Sequence, residues 1–351
     1  MKNTYFQILF RGYLLAMLAM IAVAIVPSAQ AQSKQLNLYC WSEYVPQSVI
    51  DKFTEATGIK VSVENYASNE EMLQKLLGGG NYDLIQPSNY TVEALRKADL
   101  LAPISEGSVP NIKNIAPEFT ELDCDKGNKY TVPWMAGHVA IVVNTDKVKD
   151  DIKSYNDVFQ DKFKKRIVVL DDSRELVAWA LTTRGIDPND ITDENLEKAR
   201  EILSKWLPLV KVYDSDSPKT ALINGDVDLG IVWSGEGALL QRESKKFKWI
   251  IPTEGADAFV DLLAIPKSAK NKENAEKFMN FILQPEISVL ISEDFPYTNP
   301  NLEARKLLKP EDLANPASYP SAEDQRKMHF FHDIGTKASD IDALITDLKG
   351  S

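Results

Sequence analysis

Ala221-Leu222-Ile223-Asn224-Gly225-Asp226-Val227-Asp228-Leu229-Gly230-Ile231-Val232-Trp233-Ser234 is the stretch on which the fold reading turns. It reads as the apolar end of a helix, an Asn-Gly turn, a strand entered through Asp-Leu, and polar residues past the strand end. Lys75-Leu76-Leu77-Gly78-Gly79-Gly80-Asn81-Tyr82-Asp83-Leu84-Ile85, leading into Pro87-Ser88, has the same shape. In open α/β sheets ligands bind beyond the carboxyl ends of strands. Two such units imply two similar lobes, each supplying one lip of a shared cleft; the alternative is chance recurrence of a short unit. Strand–helix alternation continues outward. Leu36, Leu38 and Cys40 alternate, then Val49, Ile50, Phe53 and Ala56 share a helical face up to Gly58, and Ile59, Val61 and Val63 alternate again. Val139–Val143, Ile167–Leu170, Val210–Tyr213, Phe247–Ile251 and Leu262–Ile265 add β-rich runs. A long helix is predicted after Asp193 and another over 272–283. The expectation is an α/β protein with mainly parallel sheets.

The 351 residues are 44% hydrophobic and 26% charged, which excludes a disordered or low-complexity chain. The formal charge of −11 argues against nucleic acid as a partner. Lys2 and Arg11 precede the uncharged run Tyr13–Val26, which ends at Pro27 and leads into Ala29-Gln30-Ala31. That is the pattern of a secretory signal peptide cleaved after Ala31, and the run is short for a spanning helix. The expected mature chain starts at residue 32, has lost two cations and no acids, and carries −13 rather than −11. No stable membrane insertion is expected after cleavage. Cys40 and Cys124 would meet an oxidising compartment, where a bridge and two buried thiols are both open.

No G-x-S-x-G, H-E-x-x-H or Walker A pattern occurs, and Gly78-Gly79-Gly80 reads as a helix stop. The three histidines are His138, His329 and His332; the last two have i, i+3 spacing for one helical face but no third ligand nearby. No catalytic residue, metal or cofactor is expected.

Acids do stand beside aromatics. Trp41-Ser42-Glu43-Tyr44, Ser88-Asn89-Tyr90, Asp171-Asp172-Ser173-Arg174-Glu175 and Trp233-Ser234-Gly235-Glu236 each follow a predicted strand, and Phe259-Val260-Asp261 and Phe295-Pro296-Tyr297 come later. Carboxylates alone would suit a metal. Interleaved with rings they suit an organic cation, since a ring face attracts ammonium by ~0.5–2 kcal/mol and a charged hydrogen bond adds ~1.5–3 kcal/mol.

Seven stretches carry a family resemblance: Trp41-Ser42-Glu43-Tyr44-Val45-Pro46, Thr57-Gly58-Ile59-Lys60-Val61, Tyr82-Asp83-Leu84-Ile85-x-Pro87-Ser88, Asp171-Asp172-x-Arg174-Glu175, Asn224-Gly225-Asp226-Val227-Asp228-Leu229-Gly230, Leu263-Ala264-Ile265-Pro266 and Tyr297-x-x-Pro300-Asn301-Leu302-x-Ala304-Arg305-Lys306-Leu307-Leu308. In this order and over nearly the whole mature chain, they resemble periplasmic spermidine/putrescine-binding proteins. The resemblance implies a two-lobed periplasmic binding protein fold with a hinge and an interlobe ligand cleft. It places 32–135 plus 259–304 in the first lobe and 136–258 plus 305–351 in the second, with crossings near Trp134–Gly137 and Phe259–Asp261. The implied protein is a periplasmic monomer that captures putrescine and/or spermidine and delivers it to an inner-membrane ABC permease complex. The alternatives are a polyamine sensor reporting to a membrane signalling protein, and a binding protein for another small cation.

Carried over position by position, the resemblance puts Trp41, Ser42, Glu43, Tyr44, Ser88 and Tyr90 on the first-lobe lip. Asp172 and Glu175 are the implied second-lobe carboxylates, Ser215 a hydroxyl, and Trp233 the ring stacked on the methylenes. Asp261 would take an inner amine, walled by Phe259 and Tyr297. Glu236 and Phe259 look like the putrescine-preferring branch. Phe331 stands where the spermidine branch has Gln, whereas Glu43 and the 171–175 acids look like the spermidine branch.

Overall fold

Residues 33–350 are described by a computed structural model, so the leader expected over 1–31 lies outside the described residues. The strands are β1 (Gln35–Trp41), β2 (Lys60–Tyr66), β3 (Leu84–Ile85), β4 (Leu101–Ala102), β5 (Thr131–Asn144), β6 (Ile167–Val169), β7 (Val210–Tyr213), β8 (Leu229–Trp233), β9 (Phe247–Ile250), β10 (Ala256–Pro266) and β11 (Met328–Phe330). They form one curled sheet in the order β2-β1-β3-β10-β5-β8-β6-β7, with β4 and β11 on β10 and β9 on β5. Among the described residues no helix is long and apolar enough to cross a membrane.

The sheet is mixed where parallel pairing was expected. Pairs β1–β2, β1–β3, β6–β7 and β6–β8 are parallel, as strand–helix–strand units require. The centre is antiparallel because two long strands run through both halves. All of Thr131–Asn144 is buried. Its first part pairs with β10, from Thr131 opposite Ala264 to His138 opposite Ala258. Its second part pairs with β8, from Val139 opposite Trp233 to Val143 opposite Leu229. The sequence shows only the apolar end of this strand as a β-run, since Pro133, Gly137 and His138 interrupt the rest.

Each half has its own core. Leu38, Phe53, Leu84, Trp134 and Phe278 belong to one cluster. Ile141, Val169, Trp179, Leu203 and Leu229 belong to another, which the C-terminal helix Lys337–Gly350 joins through Ile341, Leu344 and Ile345. The predicted helices fall at Gln47–Thr57, Asp193–Trp206 and Lys272–Ile282. Cys40 and Cys124 are buried free thiols, and burial pushes both pKa values up to about 12. His329 and His332 do not share a helical face. His329 lies in β11, drawn into extended pairing beside Ala256–Ala258, and His332 follows that strand.

Gly230 marks a tight point of the second half. A Cβ there would lie 2.4 Å from both Cγ1 and the carbonyl oxygen of Val168 on the neighbouring strand. Backbone cannot yield as a flexible side chain can. Gly230→Ala is therefore expected to cost about 3 kcal/mol, read as a lower denaturation midpoint with little change in slope. An unchanged midpoint would show that β6 and β8 separate more easily than their packing indicates.

Candidate functional site

The carboxyl ends of four strands converge on one cleft. Trp41 ends β1, Ser88 follows β3, Asp172 follows β6 and Trp233 ends β8. The cleft has a cavity volume of about 60 Å³. Its wall brings together Trp41, Ser42, Glu43, Tyr44, Ser88, Tyr90, Asp172, Glu175, Ser215, Trp233, Glu236, Phe259, Asp261, Tyr297 and Phe331, every residue the resemblance suggests for the site, whereas Asn89, Asp171 and Arg174 of the acid–aromatic clusters lie off it.

Asp261 sits at the centre, 2% exposed. It lies on β10 where the pairing with β5 shifts register between Asp261 and Leu262. The Ser88 hydroxyl donates to Oδ1 at 2.7 Å and the Tyr44 hydroxyl to Oδ2 at 2.9 Å. Asn69 Nδ2 in turn donates to Ser88 Oγ at 3.1 Å and to the Tyr90 hydroxyl at 2.7 Å. Burial raises the Asp261 pKa to about 7, although the hydrogen bonds from Ser88 and Tyr44 pull the other way. The result is a carboxylate held in place, with no cationic side chain paired to it among the described residues.

Rings wall this carboxylate. Trp233 meets Phe259 edge-on at 5.6 Å between centroids, Phe259 meets Tyr297 at 6.0 Å, and Tyr297 meets Tyr44 at 5.2 Å. The Trp233 indole N–H donates to the Ser215 carbonyl at 2.9 Å, fixing the ring's orientation. The Ser215 hydroxyl is buried without a partner. Gly235 lets the Tyr297 ring approach, since a Cβ there would lie 2.5 Å from it.

One end of the cleft is acidic and buried. Asp172 caps the helix Ser173–Thr182, its Oδ1 accepting from the backbone N–H groups of Arg174 (2.9 Å) and Glu175 (3.0 Å). This commits one of its oxygens to the fold. Glu175 accepts from the Trp179 indole at 3.1 Å. Burial and the neighbouring Asp257 push the Glu175 pKa well above the usual range, and burial raises Asp257 to about 7. Phe331 closes this end, its ring 4.5 Å from the Arg174 guanidinium and edge-on to Tyr90 at 5.9 Å.

The other end is a rim that the two halves share. The Ser42 hydroxyl donates to Asp216. Lys219 Nζ lies 2.7 Å from Glu236 Oε1 and 2.8 Å from Glu43 Oε2. Burial raises the Glu236 pKa, and Lys219 offsets part of that. Glu43 itself has a φ of 53°, a left-handed conformation that a residue with a Cβ adopts at some cost.

Sequence reasoning missed Asp257 and Lys219. Asp257, Phe259 and Asp261 alternate along one strand, so the two-residue period had the signal for the first. Nothing local marks Lys219, whose carboxylate partners lie 176 and 17 residues away. No group of three or more His, Cys, Asp or Glu side chains among the described residues is placed to hold a metal ion.

Residues 48–320 match the family described as bacterial extracellular solute-binding protein. The chain is 36% identical over 332 residues to the spermidine/putrescine-binding periplasmic protein of Salmonella typhimurium, covering 94% of this chain and 95% of that one. It is 34% identical over 338 residues to the putrescine-binding periplasmic protein SpuD of Pseudomonas aeruginosa, covering 90% of this chain and 92% of that one. Among solved structures, a putative spermidine/putrescine ABC transporter protein from Listeria monocytogenes superposes with a TM-score of 0.87 at 31% identity, covering 90% of this chain and 99% of that one. Shared sequence along nearly the full length, with the same two-lobed fold, places this chain in the family of periplasmic spermidine/putrescine-binding proteins, within the bacterial extracellular solute-binding proteins.

Proposed function

We propose that this protein is a periplasmic polyamine receptor that captures putrescine and/or spermidine between its halves and delivers it to an inner-membrane ABC importer. The observation that carries this reading is Asp261, a buried carboxylate ringed by Trp233, Phe259, Tyr44 and Tyr297. A polyamine supplies what such a site lacks: ammonium for the acids and methylenes for the rings. The names of the relatives support the same ligand class. Asp261 would take one ammonium and the Asp172–Glu175 end a second, while Trp233 and Phe259 stack on the chain between them. The reading divides the lobes at Trp134–Gly137 and Phe259–Asp261, with 32–135 plus 259–304 as the first. It also takes the chain to be exported by residues 1–31, cleaved after Ala31, and to act as a monomer without catalysis.

Binding would close the lobes, because one cation satisfies acids from both, and the permease would read the closed shape. Native mass spectrometry of the purified protein, with release and identification of its cargo, tests this. Putrescine, spermidine or a close relative is expected. Recovery of a different ligand class, together with no heat of binding for either polyamine, overturns it.

A further inference from the structure

Lys219 has all three ammonium hydrogens occupied by the protein itself. Nζ donates to Glu236 Oε1 at 2.7 Å, to Glu43 Oε2 at 2.8 Å and to Ser217 Oγ at 3.0 Å. An ammonium has three donors and no acceptor, so this tripod leaves none over. The backbone N–H of the same residue donates to Glu236 Oε2 at 3.0 Å, so both oxygens of that carboxylate are engaged by one residue. The Lys219 side chain is 17% exposed and that of Glu236 only 6%. Glu43 follows β1 in the first half of the sheet, whereas Lys219 and Glu236 belong to the second. The Ser42–Asp216 hydrogen bond spans the same rim.

We propose that Lys219 is a specificity-determining residue, a tethered ammonium that fills the cation place between Glu43 and Glu236 and so denies it to the ligand. The inference rests on the polyamine reading of the cleft and deepens it. Glu43, Glu236 and Asp216 with one bound lysine leave the rim a formal charge of −2, and the place between Glu43 and Glu236 is already taken by an ammonium. The unfilled acids are then Asp261 and the Asp172–Glu175 end, which offer places for two ammonium groups. A diamine uses both. A triamine brings a third ammonium to a rim where Lys219 already stands, and meets like charge instead of an acceptor.

Titration calorimetry of wild type, Lys219→Gln and Lys219→Ala with putrescine and with spermidine tests this. Removing the lysine opens the rim acids to the third ammonium. The ratio of spermidine to putrescine affinity is expected to rise at least tenfold in both variants. A ratio unchanged within twofold overturns the inference while leaving the polyamine reading intact. Wild type that binds neither ligand sinks that reading first. A second measurement then still decides the rim: n-butylammonium is expected to raise the melting temperature of ligand-free Lys219→Ala by more than that of wild type, because the variant adds the rim place to those at Asp261 and the Asp172–Glu175 end. Equal response of the two proteins shows that no cation place was vacated and counts against the proposal. Lys219→Gln keeps a polar side chain and the backbone contact to Glu236, so it serves if the alanine variant does not fold.

Discussion

Asp261→Asn is expected to lose at least a hundredfold in polyamine affinity and, with no ligand present, to melt higher than wild type. Both effects have one cause. The carboxylate is buried and its pKa is raised to about 7, so the empty cleft holds its charge at a cost. Relative to an ordinary aspartate near 3.8, that penalty is on the order of 4 kcal/mol. The sign follows from the direction of the shift. An acid whose folded pKa is raised destabilises the fold above that value, and the penalty fades as pH falls from about 7 toward 4. Asparagine carries no charge to bury, and the Ser88 and Tyr44 hydroxyls can turn to pair with its amide. The gain in melting temperature should therefore be larger at pH 8 than at pH 5. The ammonium, by contrast, loses its central partner. Wild-type affinity should fall roughly tenfold per pH unit below about 7, where the ligand must displace a proton, and the variant should lack that step. Calorimetry and thermal melts across pH check both halves. Equal affinities, or a variant less stable at pH 8, would refute this account of Asp261.

The second large effect is expected at Trp233. Its ring is half-buried between the two cores, packed on Phe259 and pinned by the hydrogen bond to Ser215. Trp233→Ala removes the wall and the cation-attracting face together. Loss of such an aromatic anchor costs about 2–4 kcal/mol of binding, a fall of ~30-fold to several hundredfold in affinity. Trp233→Phe keeps a ring but loses the N–H that sets its angle, and should fall between. The measured Kd values, ranked wild type, Phe, Ala, decide the matter. An alanine variant that is folded and binds as wild type does would place the methylenes elsewhere.

How much of this was legible in the sequence differs by feature. The strands before the cleft residues alternate in plain view, and their polar ends follow at once, so the lining of the cleft could be assembled from local pattern plus family resemblance. The centre of the sheet could not. Thr131–Asn144 is one strand, yet Pro133 and Gly137 hide its first half, and they are tolerated because only long-range pairing with β10 holds them extended. The resemblance makes Asp172 a ligand carboxylate alone, although the Asp-Ser-Arg-Glu stretch also has the form of a helix cap, and the cap takes one oxygen. Lys219 was invisible because an ion pair between distant segments leaves no period in the sequence. The disulfide question was likewise one of distance in space, and the fold answers it with two separate buried thiols.

The register shift between Asp261 and Leu262 lies in the ladder that joins the two halves of the sheet. If the halves rock about that ladder, Asp261 stands at the fulcrum and the rim residues Glu43 and Glu236 at the ends of the levers. A point on the fulcrum hardly moves. Its carboxylate is therefore presented in the same geometry to an arriving cation and to an enclosed one, while the rim sweeps through the full stroke. First grip and final closure are then mechanically separate events: changes at the centre should set how firmly cargo is held on encounter, and changes at the rim how long the jaws stay shut.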